Sequence, residues 1–425
     1  MPPAPQIHRL DNGIRIATVA MPHMESVSVG LWTDAGSRHE KPDEHGMAHL
    51  IEHMLFKGTP TRSAEEISRE IEGLGSSVDG FTVEDHTAYH AKAPAAHFEQ
   101  LFDVLADFYQ NPILDPADLE SERQVIHEEI AMVRDQPSQL LEDLMSEASW
   151  GVEHPLGRSI TGTNASLDAF QRDDLLRFFQ GSYSGRNTVI SIAGNIDPEQ
   201  ALEVTSSRVS NLAPGSRTPF APAPKPLSGH RFAIAEDQEQ VHVGLAFPGV
   251  DRHDPSRYAL KMLNVILGEN MSSRLFQELR EQRGLCYEVQ SDLVSFADGG
   301  LVQIYVALSP ENLAEALAAI GDIAEELVQS GVSREELEAA RSFLIGQSRI
   351  SLENTASQMM WAAECLLFFD DWKDPEAVHA RLEKITLEEV HEAARTLFEP
   401  FVFASSLVGS SESNEVLERW RRSLV

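Results

Sequence analysis

Apolar and polar positions along the chain switch between two periods. The stretches SVSVGLWTDAGSR (26–38) and QVHVGLAFPGVDR (240–252) alternate with a period of two, which predicts strands, and NTVISIAGNID (187–197) predicts another that closes the first half. ERQVIHEEIAMVRDQPSQLLEDL (122–144) and AARSFLIGQSRISLENTASQMMWA (339–362) each predict one long helix. SSVDGFTVEDHTAYHAKA (76–93) predicts a hairpin with Asp79-Gly80 as its punctuation. In EHGMAHLIEHMLFKGT (44–59), apolar residues at helical spacing surround three histidines and two glutamates.

The strand phrase and the helix phrase recur in the same order at nearly the same offset, which predicts a duplicated unit. Between the copies, LAPGSRTPFAPAPKPLSGH (212–230) holds five prolines and two glycines and keeps neither period, so it reads as a linker between halves 1–211 and 231–425. Each half runs strand or hairpin, helix, more strands, several helices and a last strand. That order predicts an α+β fold, an antiparallel-rich sheet packed with helices in each half. The glycines of EGLGSSVDG lack the G-x-G-x-x-G spacing and read as turns, not as a phosphate loop.

A length of 425 residues suits two domains or one domain built twice, and 42% apolar content excludes wholesale disorder. The net charge of −33 argues against nucleic acid or an anionic membrane as partner and would attract a basic peptide. No apolar run has the length of a membrane span, and the first residues resemble neither a signal peptide nor a presequence, so the expected location is cytoplasmic. Cys286 and Cys365 form no C-x-x-C pattern and predict neither a disulfide framework nor a thiolate zinc site; both read as buried apolar residues.

On a helix, His49, Glu52 and His53 project from one face within a turn. Two imidazoles at that spacing suit Zn2+, and a carboxylate beside them can take a proton from water; the order H-x-x-E-H is the inverted zinc motif. Histidine pairs do arise by chance among 16 histidines. Burying these three among Ala48, Leu50, Ile51, Met54, Leu55 and Phe56 would nevertheless be costly without partners or metal. For a third ligand, Glu122 and Glu129 share a helical face, whereas His127 and Glu128 point elsewhere. In the second half Gln347 stands opposite Glu129, and ALKMLNVILGENM (259–271) has no histidine, so only the first half can hold this zinc.

These stretches, with GSRHE (36–40), HPLGRSITGT (154–163) and RLFQELREQRGLCYEVQS (274–291), resemble the signature blocks of the pitrilysin/insulinase family of inverted-motif zinc peptidases. The resemblance is to its short-chain group, typified by mitochondrial processing peptidase β-subunits and their bacterial relatives. It implies a zinc endopeptidase that cuts unfolded peptides or precursor segments inside a chamber, with two related halves facing each other across a cavity. The family places a third zinc-binding glutamate about 76 residues beyond the second histidine, which falls on Glu129. Glu52 would then be the general base, and Glu122 a carboxylate behind the ligands that orients them. Arg280 and Tyr287, seven apart as in the family, would bind substrate and stabilise the oxyanion. Gly80, Phe81 and Thr82 would contact an added substrate strand through their backbones.

The chain departs from the family pattern at Asp79, Glu84 and Asp85. The first two make the cleft more acidic and would favour basic substrate residues. Chains of this length in the family pair. Possession of both the zinc motif and the Arg/Tyr pair favours a homodimer, with a heterodimer as alternative. The other class of function is a noncatalytic core-type subunit, which in the family accompanies broken zinc motifs.

Overall fold

A computed structural model describes residues 4–226, 228–236, 238–399 and 401–424. Strands β1 (Gln6–Arg9), β2 (Arg15–Ala20), β3 (Ser26–Thr33), β4 (Val78–Thr82), β5 (Thr87–Pro94) and β6 (Thr188–Gly194) form one sheet in the order β1-β2-β6-β3-β5-β4. Strands β7 (His230–Ile234), β8 (Val241–Pro248), β9 (Cys286–Ser295), β10 (Gly300–Leu308) and β11 (Ala404–Gly409) form a second, ordered β7-β11-β8-β10-β9. Without β1, the two orders are the same. One ladder in each sheet is parallel, β2 with β6 and β7 with β11, each joining an early strand of the half to its last, and the remaining ladders are antiparallel. The repeated phrases are β3 and β8, which occupy equivalent places in their sheets. The fold is therefore α+β and built from two related sheets with helices.

The helices that matter for the site are α1 (Met47–Leu55), α2 (Pro116–Asp135), α3 (Pro137–Trp150), α4 (Arg257–Asn264), α5 (Arg334–Ser351) and α6 (Thr355–Phe369). Neither long helix expected from the pattern is continuous. The stretch 122–144 breaks between α2 and α3, because Pro137 has no N–H to give and forces Gln136 into extended backbone (φ −106°, ψ 104°). The stretch 339–362 breaks at Asn354, whose side chain accepts from Ser357 N–H and so starts a new helix. The hairpin exists, but its turn is Val83–His86, closed by Val83 N–H to His86 O at 2.9 Å. Asp79 and Gly80 lie inside β4, opposite His90 and Tyr89.

The chain packs as two compact units. One contains the residues up to Ile130, Ser159–Ala221 and Ser348–Asp374; the other contains Ala131–Arg158, Pro222–Gln347 and the residues from Pro375 on. The linker stretch 212–230 carries the crossing at Ala221/Pro222; its Leu227 lies outside the described residues. Each unit also takes a helix from the opposite half of the sequence. In the first unit, Val27, Val29 and Leu31 face the core around α1, while Val19, Trp32 and Val189 face Met359, Ala363 and Leu366 of α6. Ser28 Oγ meets Thr355 Oγ1 at 2.8 Å and Ser191 Oγ donates to Met359 O at 2.8 Å, so these two buried hydroxyls have partners on α6. In the second unit α3 covers its sheet in the same way, Met145 and Ala148 packing with Ala246 and Ala404. With both faces covered, β6 is buried along its whole length. Among the described residues no helix is long and apolar enough to cross a membrane.

Candidate metal centre

Helix α1 starts from a tightly held turn. Gly46 has φ 92°, and a Cβ there would lie 2.8 Å from Gly162 Cα and Thr161 O, so glycine is required twice over. The loop of the HPLGRSITGT block thus presses directly on the start of the motif helix. The buried Glu40 carboxylate accepts from Gly46 N–H at 2.9 Å and Ala48 N–H at 2.8 Å, capping the first turn with a negative charge. Leu50, Ile51, Met54 and Leu55 enter the core. Their burial fixes the rotation of α1 and turns His49, Glu52 and His53 toward α2 and β4.

His49 Nε2 and His53 Nε2 each lie 3.7 Å from the same oxygen, Glu129 Oε2 of α2. That oxygen is buried and has no hydrogen-bond partner. One donor atom from each of the three residues falls within 4.8 Å of the others, a set that could hold a metal ion. The gap is too long for hydrogen bonds and right in donor chemistry for a cation. His53 Nδ1 lies 3.0 Å from Glu122 Oε2, so with Glu122 ionised Nδ1 carries the proton and Nε2 keeps its lone pair for a ligand. His49 Nδ1, in contrast, is buried without a partner.

The electrostatics sort these groups by role. Burial, aided by the charge of His53, pushes His49 down to about 3, so it is neutral and available as a ligand at neutral pH. Burial also pulls His53 down, but the hydrogen bond to Glu122 and the charges of Glu129 and Glu52 outweigh it and leave His53 raised. Burial pushes Glu122 up, and the donors His53 and Lys57 outweigh it, so Glu122 stays below its ordinary value. Glu52 is raised by burial, against the lowering effects of a hydrogen bond from Thr82 and of His53.

β4 is an edge strand of its sheet, opposite the edge made by β1, and its residues alternate between faces. Gly80 and Thr82 face α1. Thr82 Oγ1 donates to Glu52 Oε2 at 2.6 Å, and a Cβ on Gly80 would lie 3.3 Å from Glu52 Cγ and Oε1. Phe81 turns to the other face, its ring 5.7 Å from that of His86 and 5.9 Å from that of His90. Asp79 is exposed and accepts from Gly80 N–H at 3.1 Å, Glu84 in the turn is half-buried, and Asp85 is buried and paired with Arg38 at 2.9 Å, so within the strand itself Asp79 supplies the exposed charge.

The first unit therefore brings His49, Glu52, His53, Glu122, Glu129, Gly80 and Thr82 together. Arg280 and Tyr287 belong to the second unit, where the guanidinium stands 5.7 Å from the Tyr287 ring and the tyrosine is 72% exposed. α4, the second-half helix aligned with α1, carries no histidine. Three contributors escaped the sequence reading. Glu40 and the side chain of Thr82 depend on tertiary contacts that no local pattern reveals. Lys57, which reaches Glu122 Oε1 at 2.5 Å, sits four residues beyond His53, so its spacing was a usable signal.

Comparison with known proteins gives the family of the chain. Residues 15–164 match the insulinase (peptidase family M16) model, and residues 169–344 match the peptidase M16 inactive domain. The uncharacterized zinc protease YmxG of Bacillus subtilis is 36% identical over 91% of this chain and 94% of its own length. An uncharacterized zinc protease of Mycobacterium tuberculosis is 33% identical over 99% of this chain and 97% of its own. Among solved structures, a protease from Helicobacter pylori superposes with a TM-score of 0.90 at 20% identity, covering 96% of this chain and all of that one. A peptidase M16 inactive domain from Pseudomonas fluorescens superposes with a TM-score of 0.88 at 21% identity, covering 96% and 98% of the two chains. The chain belongs to peptidase family M16, the insulinase family.

Proposed function

We propose that the protein is a zinc-dependent endopeptidase acting on extended peptides. The observation that carries this reading is the convergence of His49, His53 and Glu129 beside Glu52, under an edge strand. Zinc held by the two Nε2 atoms and Glu129 would supply a Lewis acid that makes water acidic and polarises a carbonyl. Glu52 takes the proton of the attacking water. Thr82 occupies its Oε2, which leaves Oε1 to accept, and burial strengthens the carboxylate as a base. Glu122 holds His53 in the ligating tautomer.

A substrate adds to β4 as a strand, through the backbone of Gly80, Phe81 and Thr82. Only an extended segment can do so, which restricts cleavage to unfolded peptides and loose precursor segments. Exposed Asp79 favours a basic residue nearby. In the second unit, Arg280 and the exposed Tyr287 phenol are the substrate-binding donors.

Metal content and cleavage of a mixed peptide library, measured for wild type and Glu52→Gln, test the reading. Wild type should hold about one zinc per chain and cut, while the variant should hold zinc and lose about 10²- to 10⁴-fold in kcat. Zinc-loaded wild type that leaves every peptide intact would sink the proposal.

A further inference from the structure

We propose that Lys57 is a positioning residue of the metal centre, acting on the ligand His53 through Glu122; this rests on the metal site of the peptidase reading. Three groups stand in a line. Lys57 Nζ meets Glu122 Oε1 at 2.5 Å, and the other oxygen of the same carboxylate, Oε2, meets His53 Nδ1 at 3.0 Å. The Glu122 side chain is only 7% exposed, so water has little room to replace either donor.

A carboxylate held by one donor can swing about its terminal bond. One held at both oxygens by donors from two directions has its plane fixed. Here that plane sets the direction of the His53 N–H, which sets where the Nε2 lone pair points. Of the two histidines the dependence falls on His53, since His49 Nδ1 is buried without a hydrogen-bond partner. His53 is the histidine with an external hold, and Lys57 anchors that hold.

The local structure explains the reach. α1 ends at Leu55, but the chain keeps turning, with Phe56 N–H bonded to His53 O and Lys57 N–H to Met54 O at 3.2 Å. Lys57 therefore lies one turn beyond His53 on the same side of the helix, and both side chains meet the one carboxylate that α2 presents there. An ordinary surface ion pair would contribute little and act on nothing else. This one differs because its acceptor is buried and shared with a ligand.

The test is zinc affinity, measured by competition with a chromophoric chelator, for wild type, Lys57→Met, Lys57→Arg, Glu122→Gln and the double variant Lys57→Met/Glu122→Gln, beside the melting temperature of each metal-free protein. Lys57→Met should weaken zinc binding about 10- to 100-fold. Lys57→Arg, which keeps a cationic donor, should stay within about threefold of wild type. Once Glu122 is glutamine, removing Lys57 should cost nothing more, because the effect travels through that carboxylate. If Lys57→Met is too unstable to purify, Lys57→Gln replaces it, with an intermediate loss expected. Unchanged affinity in Lys57→Met, an equal loss in Lys57→Arg, or a full loss that persists in the Glu122→Gln background would overturn the proposal. Zinc binding without cleavage by wild type would overturn the peptidase reading alone, and no zinc binding would overturn both.

Discussion

Thr82 ties Glu52, the proposed base, to strand β4, and its loss has a calculable sign. Its hydroxyl stabilises the charged form of Glu52 and so opposes the upward push of burial. In Thr82→Val that support is gone, Glu52 holds its proton to higher pH, and the acid limb of the kcat/KM profile moves to higher pH. On the acid limb, where Glu52 is mostly protonated, kcat/KM should fall about tenfold, the effect of losing about 1.5 kcal/mol, the low end for one hydrogen bond to a charged group. Thr82→Ser should restore most of it; a profile unmoved in Thr82→Val would show that the hydroxyl does not act on the base. The same raised carboxyl makes a second, thermodynamic statement. A carboxyl that binds its proton more tightly folded than unfolded costs stability as pH rises from its unfolded value, about 4.3, to its folded one. Metal-free Glu52→Gln should therefore melt above metal-free wild type at pH 7, with the difference vanishing in acid; thermal melts of the two proteins check this. His49, Glu52 and His53 were legible in the sequence because one helical turn brings them together whatever surrounds it. Thr82 lies 30 residues from Glu52, and only the pairing of β4 with β5 carries it to the carboxylate.

At the scale of the element, β4 combines two demands that conflict in most strands. As the edge it must leave its outer backbone open to a partner, and as the neighbour of α1 it must approach Glu52 closely. Gly80 meets the second demand by having no Cβ, at some cost to strand stability. Gly80→Ala places a carbon 3.3 Å from Glu52 Cγ, Glu52 Oε1 and Phe56 Cε2, tighter than ordinary contact, so the carboxylate must shift. We expect about a tenfold loss in kcat/KM with folding stability within about 1 kcal/mol of wild type, since an edge strand can bow outward. Peptide kinetics beside a denaturant melt separate the two effects; a variant equally active would show that the close approach is incidental. The hairpin itself was legible from alternation, but its turn was not. Asp-Gly is a strong turn signal locally, and here tertiary demand for a missing Cβ placed it in the strand while Val83–His86 made the turn.

Across the whole molecule, the duplication was legible because β3 and β8 keep their alternating phrase, and strands of equal period occupy equivalent places in the two sheets. The exchange of α3 and α6 was not, since a helical period shows that a face is buried but not which sheet buries it. Charge is the remaining property that belongs to no single element. A net charge of −33 sets up a negative field around the chain, and Asp79 adds to it beside the edge strand. Such a field concentrates cations near the surface and accelerates encounter with them, by about 10- to 10³-fold in strongly steered cases. It is also screened, because the Debye length shrinks from about 30 Å at 10 mM salt to about 10 Å at 0.1 M. For a lysine-rich peptide, kcat/KM should therefore fall about tenfold between those salt concentrations, with the change in KM and not in kcat. A matched peptide with glutamine at the lysine positions should change by less than about twofold, and a glutamate-rich one should be cut faster as salt rises. The three peptides share backbone and length, so salt effects on the metal or on the fold cancel in their ratios. Parallel salt dependence for all three would mean that the acidity serves solubility and plays no part in choosing the substrate.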